Sequence, residues 1–261
     1  MSFNWNPSPD NIWVAAHRGW SEKYPENTME AYSAAAELGV DQIEIDVRIT
    51  ADGELVLIHD ATVERTTNGK GKVCEMTLAQ LKELDAGSWK SPEFAGAQIP
   101  TLVEFLEYLK AYPNMTVDFE LKEYPENGWE ETAYSVCDRV MALIDEYGFT
   151  DRCVVNTFSA KLHEYIQGKY GNKFRQHVYF PRSCMGVCAA EPYIYGYCCC
   201  MFDATKADFE SMRRRGVKPW AGASVKDAQT VDNAIDCGAE LITCNNPDVV
   251  LALLRERGKH A

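Results

Sequence analysis

The chain has no long apolar run, no low-complexity tract and no excess of positive charge. A membrane-spanning helix takes about 20 consecutive apolar residues. None is present, so no span and no stable membrane anchoring are expected. No Pro/Gly/Ser-rich linker divides the 261 residues, so a single domain over 1–261 is expected. Lys and Arg number 26 against 39 Asp and Glu, a net charge of −13. Such a surface repels nucleic acid and anionic lipid headgroups, and neither is an expected partner. It also repels an anionic small molecule, so a phosphate site would need a local cation or arginine. The segment Met1–Pro7 has no basic region leading into an apolar core. An export signal is therefore not read, and a cytoplasmic location is expected. Oligomeric state leaves no mark on the sequence.

Metal-binding cysteine pairs of the Cys-x-x-Cys type are also missing, although the chain carries ten cysteines. In a reducing compartment these are expected to be thiols. The run Cys198-Cys199-Cys200, and Cys184 with Cys188, read as small buried hydrophobes on or near a strand. No Gly-x-Gly-x-x-Gly follows the first strand candidate, which counts against a dinucleotide-binding doubly wound sheet.

What the chain does have is a repeated alternation of short β-rich runs with helical patterns. Eight strands are expected, at Ile12–Ala16, Gln42–Val47, Met115–Leu121, Cys153–Thr157, Arg175–Tyr179, Cys198–Phe202, Val217–Ala221 and Glu240–Thr243. The helices between them carry start and stop signals. Asn27 with Glu30 and Thr101 with Glu104 have capping-box spacing, Ser159 can cap a helix from Ala160, and Gly39 and Gly148 close helices. Eight such units predict an α/β fold, a (β/α)8 barrel. The interval between Val47 and Met115 is too long for one helix and return. It holds a strand-like run at Glu54–Ile58, turn residues from Thr66 to Gly71, a short helix at Leu78–Leu84 and the Gly/Pro-punctuated stretch Gly87–Pro100. Residues 60–100 are thus expected to form a small insertion after the second strand, walling the barrel mouth where active sites of this fold lie. Trp89 and Phe94 would be an apolar wall there or the core of the insertion.

Chemistry-bearing residues concentrate in Ala16-His17-Arg18-Gly19, Glu44-Ile45-Asp46 and His59-Asp60. Along the second strand Glu44, Asp46 and Arg48 share one face, with Ile43, Ile45, Val47 and Ile49 on the other. The third long strand repeats this with Asp118, Glu120 and Lys122. An antiparallel edge strand with one solvated face would show the same alternation. In a parallel barrel both faces are covered, and unpaired acids inside are costly. Acids at matching positions on two such strands argue for one divalent cation held by oxygen, magnesium or calcium with manganese also suitable. His17 ends the first strand and His59 follows an apolar run, so two histidines can divide proton transfer. Arg18 can hold an anionic oxygen. Asp60 either orients His59 or starts a turn, and Lys122 either meets phosphate or pairs with Glu120. Trp220 is read as lining the pocket, with core filling as the alternative. His163, His177 and His260 lack such surroundings, and Arg213–Arg215 reads as a solvated helix end.

These residues resemble the signature of the glycerophosphodiester phosphodiesterases. The matching pieces are His17-Arg18-Gly19, Pro25-Glu26-Asn27-Thr28, Glu44-Ile45-Asp46-Val47, His59-Asp60 and Thr66-Thr67-Asn68-Gly69. They continue through Leu84–Trp89, Ser91–Phe94, Ile99–Leu102 and Glu120-Leu121-Lys122, and thin out in the second half. The resemblance implies a TIM barrel with an inserted subdomain and a divalent metal. It implies hydrolysis of a small-molecule glycerophosphodiester to sn-glycerol 3-phosphate and an alcohol. Carried over, Glu44, Asp46 and Glu120 would bind the metal, His17 and His59 would be the acid–base pair, and Arg18 and Lys122 would hold phosphate. Two places depart from the pattern. Thr157-Phe158 replaces a serine-phenylalanine pair, and Thr243-Cys244-Asn245-Asn246-Pro247 lacks an aspartate at the pocket rim. A phosphodiester lyase or lysophospholipase D-like enzyme passing through a cyclic phosphate is the alternative activity, and a non-catalytic phosphodiester-binding module a more distant one.

Overall fold

A computed structural model describes residues 3–126, 128–180, 193–199 and 204–261. In chain order the elements are β1 (Trp13–His17), α1 (Met29–Leu38), β2 (Gln42–Ile49), β3 (Leu55–Leu57), α2 (Leu78–Lys82), α3 (Leu102–Leu109), β4 (Thr116–Leu121) and α4 (Glu130–Glu146). They continue as β5 (Cys153–Asn156), α5 (Ala160–Tyr170), β6 (Arg175–Phe180), β7 (Gly196–Cys199), α6 (Lys206–Arg214), β8 (Lys218–Ala221), α7 (Ala228–Cys237), β9 (Leu241–Cys244) and α8 (Pro247–Glu256).

Neighbouring strands run β1-β9-β8-β7-β6-β5-β4-β2, and β1 pairs again with β2. Eight parallel strands therefore close on themselves, with helices between them. This is the expected (β/α)8 barrel. The ninth strand, β3, is antiparallel to the end of β2, with Val47 opposite Leu57.

Alternation decides which side of each strand packs outward. Ile43, Ile45 and Val47 of β2 and Val117, Phe119 and Leu121 of β4 join one large apolar cluster with Tyr32, Phe105, Val140 and Leu254 of the outer helices. Burying these groups between barrel and helices supplies the main hydrophobic drive. The inward faces carry Glu44 and Asp46 on β2, and Asp118 and Glu120 on β4.

Most strand bounds agree with the sequence reading to within a residue or two. β7 is displaced: it starts at Gly196, two residues before the expected run, because Gly196 to Cys199 are the residues in register with both β6 and β8. Cys200, Met201 and Phe202 lie outside the described residues, as do Cys184 and Cys188. Cys198 and Cys199 are buried on the strand, and the seven described cysteines are thiols.

The caps are local and mostly as expected. Thr101 and Glu104 satisfy each other's backbone N–H groups at the start of α3, and Ser159 accepts from Leu162 N–H at the start of α5. At α1 the cap is Thr28, not Asn27: the Thr28 hydroxyl accepts from Ala31 N–H at 3.3 Å. Asn27 has φ 54°, and its side chain is committed elsewhere. Between β2 and α3 a second apolar cluster gathers Val56, Ile58, Val63, Val73, Leu81, Ala86 and Ile99. This cluster runs from Val56 to Ile99, so two of its residues, Val56 and Ile58, precede the expected insertion. Trp89 is not part of it: the indole is 39% exposed, its N–H donating to Ala86 O.

Candidate active site

The parallel register of β1, β2 and β4 sets His17 opposite Glu44, Glu44 opposite Asp118 and Asp46 opposite Glu120. Side chains of one parity all point into the barrel, so acids far apart in sequence meet near the C-terminal ends of the strands. One carboxylate oxygen each from Glu44, Asp46 and Glu120 lies within 4.8 Å of the other two, and all three residues are buried. Asp118 faces the same interior but is engaged below them. It accepts from Asn156 Nδ2 at 2.6 Å and meets His177 Nε2 at 2.8 Å.

Three buried carboxylates this close repel one another. Burial, then the charges of Asp46 and Glu120, raise the Glu44 carboxyl well above its ordinary range. Burial also raises Glu120, against the opposing charge of Lys122. For Asp46 burial acts in the same direction, but Lys122 and Arg18 outweigh it and hold the group at about 2. Glu44 Oε1 is buried and accepts no hydrogen bond. An unpartnered oxygen among convergent carboxylates fits a hard divalent cation with oxygen ligands.

Cationic side chains frame the trio. Arg18 follows the end of β1 in a left-handed conformation, φ 59°. Its N–H donates to Glu44 Oε2 at 2.8 Å, while its guanidinium reaches Glu26 at 2.7 Å and Asp46 at 3.2 Å. Gly19 beside it has φ 78°, and a Cβ there would stand 2.7 Å from the Ala31 backbone. Lys122 Nζ lies 3.1 Å from Asp46 Oδ1 and donates to Glu120. The pairing of Lys122 with Glu120 thus occurs, and Asp46 shares it.

Both site histidines are held through Nδ1. His17 Nδ1 lies 2.7 Å from Asn245 Oδ1, an atom that also accepts from the Ser21 hydroxyl. Two donors converging on Asn245 Oδ1 place the proton on His17 Nδ1 and turn a bare Nε2 towards Glu44, 4.0 Å away. Burial, reinforced by Arg18, lowers His17 to about 4. His59 Nδ1 lies 2.6 Å from Asp60 Oδ1, so of the two readings of Asp60 the orienting contact is present. Burial lowers His59 too, with Asp46 and Asp60 opposing. Bonds from Arg65 keep the Asp60 carboxyl well below its usual range.

Several contributors escaped the sequence reading. Asn27 Nδ2 donates to Asp46 Oδ2 at 2.8 Å and its oxygen accepts from Tyr32 OH. Arg65 binds Glu26 through both terminal nitrogens and Asp60 through Nε. Arg48 donates to the backbone oxygens of His59 and Lys122, tying their loops together. Tyr179 OH donates to Glu120 Oε2 at 3.1 Å. Asn245 stands in the segment whose missing aspartate put the rim in question, and its amide oxygen is what holds His17. Three of these carried a signal: Asn27 stood in the Pro25–Thr28 motif but read as a cap, Arg48 shared the face of Glu44 and Asp46, and Asn245 stood in the departing rim segment.

One expected site residue is elsewhere. Trp220 is fully buried in the barrel interior with Trp13, Ala15, Val154 and Leu241. Val154 is in register with Asp118, the level beneath Glu120. The indole therefore plugs the barrel under the acids and is shut off from the mouth. His177, set aside as incidental, pairs with Asp118 in that lower layer. His163 is a buried residue bonded to Gln176 and Thr157 O, and His260 pairs with Asp41 away from the site.

A closed parallel barrel whose C-terminal mouth gathers three acids, two histidines and an arginine defines an enzyme site built for charge neutralisation and proton transfer. The family model for the glycerophosphoryl diester phosphodiesterase family matches residues 17–179. A glycerophosphodiester phosphodiesterase of Caldanaerobacter subterraneus subsp. tengcongensis is 34% identical, the match covering 94% of this chain and 98% of the relative. Among solved structures, a phosphodiesterase of Oleispira antarctica in complex with the product sn-glycerol-3-phosphate is similar. It has a TM-score of 0.82 and 26% identity, covering 94% of this chain and 97% of that one. A glycerophosphodiester phosphodiesterase of Agrobacterium tumefaciens matches with a TM-score of 0.76 and 26% identity over 92% and 99% of the two chains. The chain belongs to the glycerophosphoryl diester phosphodiesterase family, and is an enzyme, a phosphodiesterase. No helix among the described residues is long and apolar enough to cross a membrane.

Proposed function

We propose that the protein hydrolyses small-molecule glycerophosphodiesters to sn-glycerol 3-phosphate and an alcohol, with a divalent cation at the carboxylate trio. The observation that carries this reading is the mutual approach of Glu44, Asp46 and Glu120 within 4.8 Å beside His17 and Arg18. A bound magnesium, calcium or manganese ion supplies charge neutralisation to the phosphoryl oxygens. Glu44, Asp46 and Glu120 would hold it, with Asn27 fixing Asp46 and Tyr179 fixing Glu120. Arg18 faces the developing negative charge, and Lys122, beside Asp46 and Glu120, adds to the positive field.

His17 enters the reaction neutral, because burial keeps its pKa near 4. Its bare Nε2 takes the proton of the attacking water. His59 is the more exposed of the two, and Asp60 steadies its charged form through Nδ1. It gives its proton to the departing alkoxide, a poor leaving group when unprotonated. The alcohol and phosphate arms meet the mouth from solvent, as a small-molecule substrate requires. A cytoplasmic location belongs to the same proposal.

The test is release of glycerol 3-phosphate from a panel of glycerophosphodiesters, before and after exhaustive EDTA treatment. Release that stops in EDTA and returns with added cation is the expected result. Undiminished turnover in EDTA overturns the metal assignment, and no release from any diester overturns the activity.

A further inference from the structure

Three buried polar side chains inside the barrel have no part in the proposed chemistry: Asp118, Asn156 and His177. His177 Nε2 lies 2.8 Å from Asp118 Oδ2. Asn156, on β5, donates from Nδ2 to Asp118 Oδ1 at 2.6 Å. On its other side Asn156 Oδ1 accepts from the Tyr179 hydroxyl at 3.0 Å. That hydroxyl also lies 3.1 Å from Glu120 Oε2. A continuous run of hydrogen bonds therefore leads from His177 to one member of the carboxylate trio.

The direction of the run follows from the groups in it. A carboxylate only accepts, so Asp118 turns the Asn156 amide nitrogen towards itself and leaves the amide oxygen to Tyr179. The Tyr179 hydroxyl has one proton for two acceptors, and a three-centre bond holds it between Asn156 and Glu120. Its ring is gripped as well. Phe158 lies flat on it, centroids 3.9 Å apart, and the His177 ring meets it at 5.5 Å with planes at 73°. Tyr179 thus holds Glu120 in a position that is itself set by Asn156. Filling the barrel does not call for such groups. Trp13, Ala15, Val154, Trp220 and Leu241 fill the same interior with apolar surface, and apolar side chains of similar volume often serve stability as well as buried ionic groups or better.

We infer that Asn156 is a positioning residue for Glu120, acting through Tyr179, and that Asp118 and His177 set the orientation of its amide. The inference rests on the cation reading of the trio and adds what fixes one of the three ligands from behind.

The experiment is isothermal titration calorimetry of magnesium and of calcium into the EDTA-treated protein, for wild type, Asn156→Leu, Tyr179→Phe and the double variant. Each single substitution should weaken cation binding about tenfold. The double variant should be no weaker than either single, because both substitutions break one link. A purely structural role for Asn156 would leave its effect undiminished in the Tyr179→Phe background, and losses that multiply in this way overturn the inference. So does cation binding by Asn156→Leu as tight as by the wild type. If Asn156→Leu does not fold, Asn156→Ser, smaller and still polar, takes its place with the same expected results. A wild type that binds neither cation overturns the cation reading and the inference with it, whereas tight wild-type binding with unaffected variants overturns the inference alone.

Discussion

Arg65 grips Glu26 with both terminal nitrogens, each 2.9 Å from a carboxylate oxygen, while its Nε holds Asp60 at 2.6 Å. Glu26 also binds Arg18, and Asp60 binds His59. One side chain thus holds the partners of both Arg18 and His59, the arginine and the histidine proposed above to face phosphate and to transfer a proton. Arg65→Gln is expected to lower kcat about tenfold with little change in KM, a value tempered by the partial exposure of the guanidinium. Arg65→Lys, which keeps the charge and loses the fork, should recover little. Steady-state kinetics of the two variants checks this, and a change confined to KM would contradict it.

The two histidines should respond differently to the leaving group. His59→Ala is expected to lose about 100- to 10,000-fold in turnover of an alkyl diester. It should be far less impaired on a p-nitrophenyl ester, whose leaving group needs no proton. His17→Ala should be impaired on both. A variant pair with the opposite pattern would exchange the roles of acid and base.

Glu44→Gln sets stability against function. The carboxylates of Glu44, Asp46 and Glu120 repel one another, so removing one charge should raise the melting temperature of the metal-free protein by a few degrees near pH 8. Excess magnesium or calcium should stabilise the wild type by mass action and the variant much less. Differential scanning fluorimetry with and without cation reads both arms. A wild type indifferent to every divalent cation would count against the site.

Away from the mouth, His260 Nε2 lies 2.9 Å from Asp41 Oδ2, and this bond raises the histidine above its ordinary 6.5. A raised pKa in the folded state stabilises most where the unfolded histidine is also charged. The contribution, on the order of 0.5–1 kcal/mol, is therefore full below about pH 6 and fades as pH climbs through the raised folded value. His260→Ala should cost stability at pH 5.5 and much less at pH 9, as urea melts at the two values would show.

Gly19→Ala should destabilise by roughly 2–3 kcal/mol, because the new methyl meets the Ala31 backbone at a left-handed φ. Since Gly19 follows Arg18, any folded fraction should also lose activity. Thermal melts and specific activity together test this.

The barrel and its inward acidic face were legible because both rest on local periodicity. Glu44, Asp46 and Glu120 stand at alternate positions of strands whose other face is apolar, and that pattern needs only a two-residue period to read. The strand start at Gly196 was less legible, since three consecutive cysteines and their flanks carry no alternation and the register comes from the neighbouring strands.

The sequence by itself determined the eightfold β/α order, the inward acids, the strand-end position of His17 and the family. Tertiary structure alone decided depth and partnership. Period two puts Trp220 inside the barrel, but the stagger of closed strands drops it to the level of Val154 and Leu241, beneath the acids. In the same way Asn245 reaches His17 across 228 residues, and Arg65 reaches Glu26 across 39. No local pattern encodes such pairs, because closing the ring of strands and folding the insertion over it are what bring them within hydrogen-bonding distance.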